Sequence, residues 1–183
     1  MMSDAHLDTA QFLRRFGETG TRVVLIGGMA AITLGVAYVT QDIDFCYDIS
    51  PANRVRLLEA LAPLQPRLRV GGLSDADARA LPRRWDERAV RDGPNLTLQT
   101  DAGPIDLLSR VSGLGGYAEV LGEAVIVREA GLEIAVLDLP GLVKAKRAAG
   151  RTKDMAILPM LESMLLLRAQ AQGDEPASEG TPS

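Results

Sequence analysis

The chain has 183 residues, 46% hydrophobic and 24% charged, a balance that suits one globular domain with its own core. A net charge of −4 argues against bulk electrostatic attraction to nucleic acid, though a local basic patch remains compatible with it. The lone Cys46 excludes an internal disulfide, and no apolar run is long enough to span a membrane, so a soluble, cytoplasmic protein is expected.

The N-terminus lacks the basic start and apolar run of a signal peptide. Ser3 is placed to cap a first helix carrying Ala5, Leu7, Phe12, Leu13 and Phe16 at roughly helical spacing. RVVLI (22–26) reads as a buried strand, and Gly27-Gly28 turns it into the short helix MAAITLG. IDFCY (43–47) is a second strand. Pro51 opens a helix whose apolar face is expected to be Val55, Leu57, Leu58 and Leu61.

Residues 66–94 carry arginines at 67, 69, 79, 83, 84, 88 and 91 and the only tryptophan, Trp85; they read as loop plus irregular helix. NLTLQT (95–100) and PIDLLSRV (104–111) are strands joined by D-A-G, a hairpin signal. AVIVREA and LEIAVLDL flank Gly131 as a further strand pair. Helices over about 138–149 and 152–170 follow, with Gly150 ending one and Thr152 capping the next. The expectation is a single domain over residues 1–171 and a polar, disordered tail over 172–183.

Three acids stand out. Side chains alternate along a strand, so Asp42 and Asp44 project from one face, roughly 7 Å apart along the backbone. Two carboxylates without a base between them repel, and a divalent cation relieves that repulsion; oxygen-only ligands suit Mg²⁺ or Mn²⁺. A bare D-x-D is equally what a solvated strand edge carries. Asp106 lies between Ile105 and Leu107-Leu108, where a lone charge is costly unless paired or metal-bound, although a half-exposed strand also produces it. Should its hairpin pair beside the D-I-D strand, three carboxylates converge into a two-cation site of the kind that drives phosphoryl or nucleotidyl displacement.

Gly27-Gly28 admits two readings, a plain turn or a side-chain-free bend whose N–H groups approach an anion. The pattern G-x-x-x-x-G-K-[ST] is absent, and G-G-M-A-A-I is not G-x-G-x-x-G, which disfavours a P-loop or dinucleotide site. His6, the only histidine, lies outside these motifs, so a histidine triad or zinc site is not expected. Arg84, Arg88 and Arg91 share a face if that stretch is helical, and Trp85 is either a base-stacking ring or part of the core. Cys46, between Phe45 and Tyr47, reads as a small buried hydrophobe.

An apolar strand, a glycine pair, D-x-D and a later strand acid together resemble the DNA polymerase β-type nucleotidyltransferase superfamily. Within it, the chain is similar to the small bacterial nucleotidyltransferases related to abortive-infection and toxin–antitoxin enzymes. The resemblance is carried by "IGGMAAITLGVAYVTQDIDF", by "LTLQTDAGPIDLL" with the following "GGYAEV", and by "LDLPGLVKAKRAAGRTKDMAIL". These stretches occur in the family order and reach from about residue 20 to 165.

The resemblance implies an α+β fold (mixed α/β), a minimal palm of twisted mixed sheet with helices packed on it. It implies that Gly27 and Gly28 hold the triphosphate, that Asp42 and Asp44 ligate Mg²⁺ or Mn²⁺, and that Asp106 is the third catalytic acid. The family's basic motif falls on Lys146, Arg151, Lys153 and Asp154, where cations would offset the charge of the leaving pyrophosphate. "KAKRAAGRTKD" also fits a solvated basic helix end. The implied activity is metal-dependent transfer of a nucleoside monophosphate from a nucleoside triphosphate to a hydroxyl: an RNA 3′ end, a protein side chain or a small molecule. The competing expectation is a non-catalytic nucleotide-binding or interaction protein of the same fold, such as a toxin–antitoxin partner. Gly28 stands where relatives often carry serine, and no separate substrate-binding domain is expected, which leaves the acceptor open.

Overall fold

The computed structural model describes residues 7–69, 85–92, 95–129 and 131–173. The expected Ser3 cap, His6, the arginines at 79, 83 and 84, and the tail from residue 174 lie outside these described residues. Helix α1 (Thr9–Thr19) is capped by Asp8, whose Oδ1 accepts the Gln11 N–H at 3.0 Å. The Asp8 N–H is itself tied to Ala102 O at 2.8 Å, which holds the chain out of helical geometry there. Phe12 and Phe16 are buried as expected.

β1 (Val23–Ile26) leads directly into α2 (Gly27–Thr33), and β2 (Ile43–Tyr47) returns antiparallel to β1. α3 (Pro51–Leu61) begins with Ser50 as cap and Pro51 in its first turn. A short 3₁₀ turn (Ala62–Leu64) leads to β3 (Arg67–Leu68); α4 (Glu87–Asp92) and β4 (Asn95–Thr100) come later. β4 and β5 (Gly103–Leu108) form the expected hairpin. The strand foreseen as running on to 111 breaks at Ser109, and Arg110–Val111 pairs instead as β6 with β7 (Gly115–Gly116). α5 (Tyr117–Gly122), β8 (Ala124–Glu129), β9 (Leu132–Leu137), α6 (Leu139–Ala149) and α7 (Thr152–Gly173) complete the described chain.

Seven strands join in one mixed sheet in the order β3-β4-β5-β2-β1-β9-β8. β2 lies parallel to β5 and antiparallel to β1, at the middle of the sheet. Phe45 of β2 meets Phe16 of α1 edge-on, with ring centroids 5.1 Å apart. Alternation along β2 then turns Asp44 toward the opposite face, away from that packed layer. No helix among the described residues is long and apolar enough to cross a membrane.

Val55 does not join the core. It is 58% exposed, whereas α3 buries Asn53, Leu57, Ala60 and Leu61. The amide of Asn53 explains the rotation. Its Oδ1 accepts the Arg22 N–H at 2.6 Å, and its Nδ2 donates to Arg22 O at 3.1 Å and Asp48 O at 2.8 Å. One side chain thus joins α3 to both strands of the β1–β2 pair. Replacing it with leucine of similar bulk takes the amide away from the Arg22 N–H and Asp48 O, while Arg22 O keeps the Asp48 N–H at 3.1 Å. Asn53→Leu is expected to lose about 3 kcal/mol of stability, read from the urea midpoint, with the denaturant slope unchanged.

Trp85 packs partly buried against the core, and its Nε1–H donates to Leu58 O at 3.2 Å, which favours the structural role over base stacking. Asp86 Oδ1 accepts the Ala89 N–H at 3.1 Å and so opens α4. Gly150 ends α6 in the left-handed region at φ 62°, as expected. Thr152 is the first residue of α7 rather than its cap; the Arg151 carbonyl accepts from Asp154 and Met155.

Candidate active site

The β2–β5 register sets Asp44 directly beside Asp106. Partners in register share a face, and Asp42, in the bend just before β2, brings its carboxylate to the same place. Carboxylate oxygens of Asp42, Asp44 and Asp106 all lie within 4.8 Å of one another. Residues remote in sequence therefore form one acidic cluster on the sheet face that α1 does not cover.

The glycine pair supports that cluster in a way its sequence does not announce. Gly27 sits at φ +68°, and a Cβ there would overlap Asp44 Oδ2 and stand 2.8 Å from Asp44 Cγ. A Cβ on Gly28 would lie 3.0 Å from the side chains of Thr40 and Tyr38. Thr40 Oγ1 in turn donates to Asp42 Oδ1 at 2.9 Å. Gly27 thus makes room for Asp44, and Gly28 makes room for the threonine that orients Asp42. Thr40 is absent from the motif reading, because a lone threonine two residues before D-x-D carries no signal of its own.

Electrostatics show the cost of the cluster. Asp44 is pushed up to about 7 by burial first and then by the neighbouring Asp42 and Asp106 charges; Lys146 and Lys153 pull the other way. Burial likewise raises Asp106, with a hydrogen bond from Thr97 opposing and Asp42 reinforcing. Asp106 Oδ1 is buried, and none of the described residues hydrogen-bonds it. An orphaned carboxylate oxygen facing two further carboxylates suits a divalent cation, and the all-oxygen donor set suits Mg²⁺ or Mn²⁺. The residues fit such an ion.

The sign of the pH dependence follows. Between the ordinary aspartate range and pH 7, folded Asp44 keeps a proton that the unfolded chain releases. Its contribution to metal-free stability therefore rises as pH falls through 7, and ionising it above 7 costs on the order of 4 kcal/mol. A cation needs the ionised form and displaces that proton. Thermal stabilisation by Mn²⁺ is expected to be large at pH 8 and to fade by pH 5.5. A stabilisation independent of pH over that range would contradict the raised carboxyl.

Beside the cluster lies a cavity of about 300 Å³ whose lining includes Gly27, Asp44, Lys146, Arg151 and Asp154. Asp154 is fully buried at the start of α7. It accepts from Lys146 Nζ at 2.7 Å and from Arg151 Nε at 2.5 Å. Burial alone would raise the Asp154 carboxyl, but the bonds from Arg151 and Lys146 hold it below its ordinary value. Two cations are thereby fixed at the cavity wall. Lys153 is exposed, yet its charge lowers both Asp44 and Asp106.

The structure therefore brings Asp42, Asp44 and Asp106 together and sets Gly27, Lys146 and Arg151 around the adjoining cavity. Gly28 is buried behind Thr40, and Lys153 is not among the cavity-lining residues. Cys46 is buried and its thiol is pushed up to about 12 by burial, then by Glu119, which leaves it unreactive. Asn95, Arg110 and Ser112 also line the cavity and were not marked by any sequence motif.

No family model matches the chain, and no curated protein matches it. Among solved structures it is similar to the nucleotidyltransferase ANT(2")-Ia, crystallised in complex with adenylyl-2"-tobramycin. The similarity covers 90% of this chain and 94% of that one, at 16% identity and a TM-score of 0.53. The three-acid cluster thus stands on a mixed α+β sheet fold shared with a nucleotidyltransferase.

Proposed function

We propose that the protein is a metal-dependent nucleotidyltransferase that moves a nucleoside monophosphate from a nucleoside triphosphate to a hydroxyl acceptor. The observation that carries this reading is the cluster of Asp42, Asp44 and Asp106 with oxygens within 4.8 Å beside a cation-lined cavity. Asp42 and Asp44 would hold Mg²⁺ or Mn²⁺, with Asp106 sharing the site. Bound divalent cations supply charge neutralisation for the phosphates and the leaving oxygen.

The chain's own residues do the rest. Gly27 and Gly28 leave the entrance to α2 free of side chains, next to Asp44. Lys146 and Arg151, held by Asp154, and Lys153 near them, offset the charge that grows on pyrophosphate as the α–β phosphate bridge breaks. The acceptor oxygen forms the new bond to the α-phosphorus, and its proton passes to, or is oriented by, Asp106. Burial, which raises that carboxyl, makes it a better proton acceptor than an ordinary aspartate.

An RNA 3′ end, a protein side chain and a small molecule are the acceptors to be distinguished. The resemblance to toxin–antitoxin enzymes brings the first two forward, and the adduct bound by the structural neighbour brings the third. The test is incubation of the purified protein with each α-labelled nucleoside triphosphate, Mg²⁺ and a cell extract. Label is expected to move to an extract component with release of pyrophosphate, and to stay put when EDTA is added. Label that never leaves the nucleotide pool would overturn the reading.

A further inference from the structure

The cavity has two chemically different ends. Gly27, Lys146 and Arg151 gather at the Asp44 end. On the same sheet face, the row Asp44–Asp106 is followed two residues on by the row Cys46–Leu108–Asn95. Strand rise puts the rows about 7 Å apart, the reach of one ribose between an α-phosphate and its base. Leu108, Val111 and Leu142 supply apolar lining suited to a ring face.

At this far end two of the three polar lining side chains, Asn95 and Arg110, present donors. The Ser109 N–H, which can only donate, bonds Asn95 Oδ1 at 3.2 Å. That contact sets the amide orientation and leaves Asn95 Nδ2 carrying its hydrogens toward other partners. Arg110 offers donors only, and the Ser112 hydroxyl serves either way. The carboxylates among the described lining residues, Asp44 and Asp154, both belong to the other end, and Asp154 is engaged by Lys146 and Arg151.

We infer that the cavity selects nucleoside triphosphates whose base carries a carbonyl oxygen at guanine O6 or uracil O4, over adenine and cytosine, which carry an amino group at the equivalent ring position. The chemistry is that of base-edge readout: N7 accepts in both purines, so the difference lies at guanine O6 and uracil O4, which accept, against adenine N6 and cytosine N4, which donate and would face donors. The inference rests on the nucleotidyltransferase reading and narrows it to a class of nucleotide.

The experiment measures the affinity of the full chain for GTP, UTP, ATP and CTP by titration calorimetry with Mg²⁺ present, so no acceptor is needed. GTP and UTP are expected to bind at least about tenfold more tightly than ATP and CTP. Asn95→Asp keeps an oxygen for the Ser109 N–H and turns the outward donor into an acceptor. It is expected to shrink or reverse the ratio of keto to amino bases, whatever its effect on overall affinity. Equal binding of all four, tightest binding of ATP or CTP, or an unchanged ratio in Asn95→Asp would overturn the base preference and leave the transferase reading standing. Failure of every nucleotide to bind with Mg²⁺ would overturn both.

Discussion

Asp44→Asn is expected to abolish nucleotidyl transfer, by about 10³-fold or more, while making the metal-free protein more stable. The two effects share one cause. Asp44 is half-buried beside Asp42 and Asp106 and raised to about 7, so its charge opposes folding at neutral and higher pH. Asparagine keeps the shape and removes the charge. Above pH 7 the metal-free variant should gain on the order of 2–4 kcal/mol. The same change removes an oxygen from the proposed cation site, so Mn²⁺ should no longer raise the melting temperature. Transfer assays together with thermal melts, with and without Mn²⁺ at pH 8, read all three quantities. A variant that melts lower than the parent without metal would mean that Asp44 is a structural hydrogen-bonding group and not a strained ligand.

Gly27→Ala is expected to be nearly as damaging, from a position that carries no functional group. Gly27 sits at φ +68°, which costs an L-residue about 1–2 kcal/mol, and the new methyl would overlap the Asp44 carboxylate. The side chain that must yield is the one placed against Asp106. Displacing it by about 1 Å is enough to lose roughly 10²-fold in rate. Stability should fall by roughly 2–4 kcal/mol in the same variant.

Gly28→Ala is the informative comparison. Its Cβ would meet Thr40 and Tyr38 side chains at 3.0 Å, and Gly28 is not among the glycines in the left-handed region. Side chains can give way more readily than a carboxylate held in a cluster, so the loss should be clearly smaller. Equal losses in the two variants would show that the bend itself, rather than room for Asp44, is what the glycines provide.

Much of the local structure was legible from residue pattern. IDFCY is strand β2, residue for residue; D-A-G does turn β4 into β5; and Gly150 does end α6. These features depend on alternation, turn chemistry and backbone freedom within a few residues. The misreadings share the opposite origin. The apolar character of Val55 places it inside, but α3 is rotated so that Asn53 can bond Asp48 and also Arg22, which lies 31 residues away in the chain. Leu7, expected on the first helix, precedes it, since Asp8 caps α1 and has its N–H accepted by Ala102 in the distant β4–β5 turn.

The site divides along the same line. Residue pattern alone named the available acids and the glycine pair that precedes them; the alternation expected to put Asp42 and Asp44 on one strand face does not apply, because β2 begins at Ile43 and Asp42 reaches the cluster from the bend before it. Only the tertiary structure decided that β2 pairs parallel with β5, which carries Asp106 to the side of Asp44. It also decided that Gly27 shelters a carboxylate, that Thr40 holds Asp42, and that Asp154 binds two cations into the cavity wall. Strand register and the direction of side chains across a sheet are long-range outcomes, set by the burial of the whole core. A local pattern names the groups; the packing sets the distances at which their charges act.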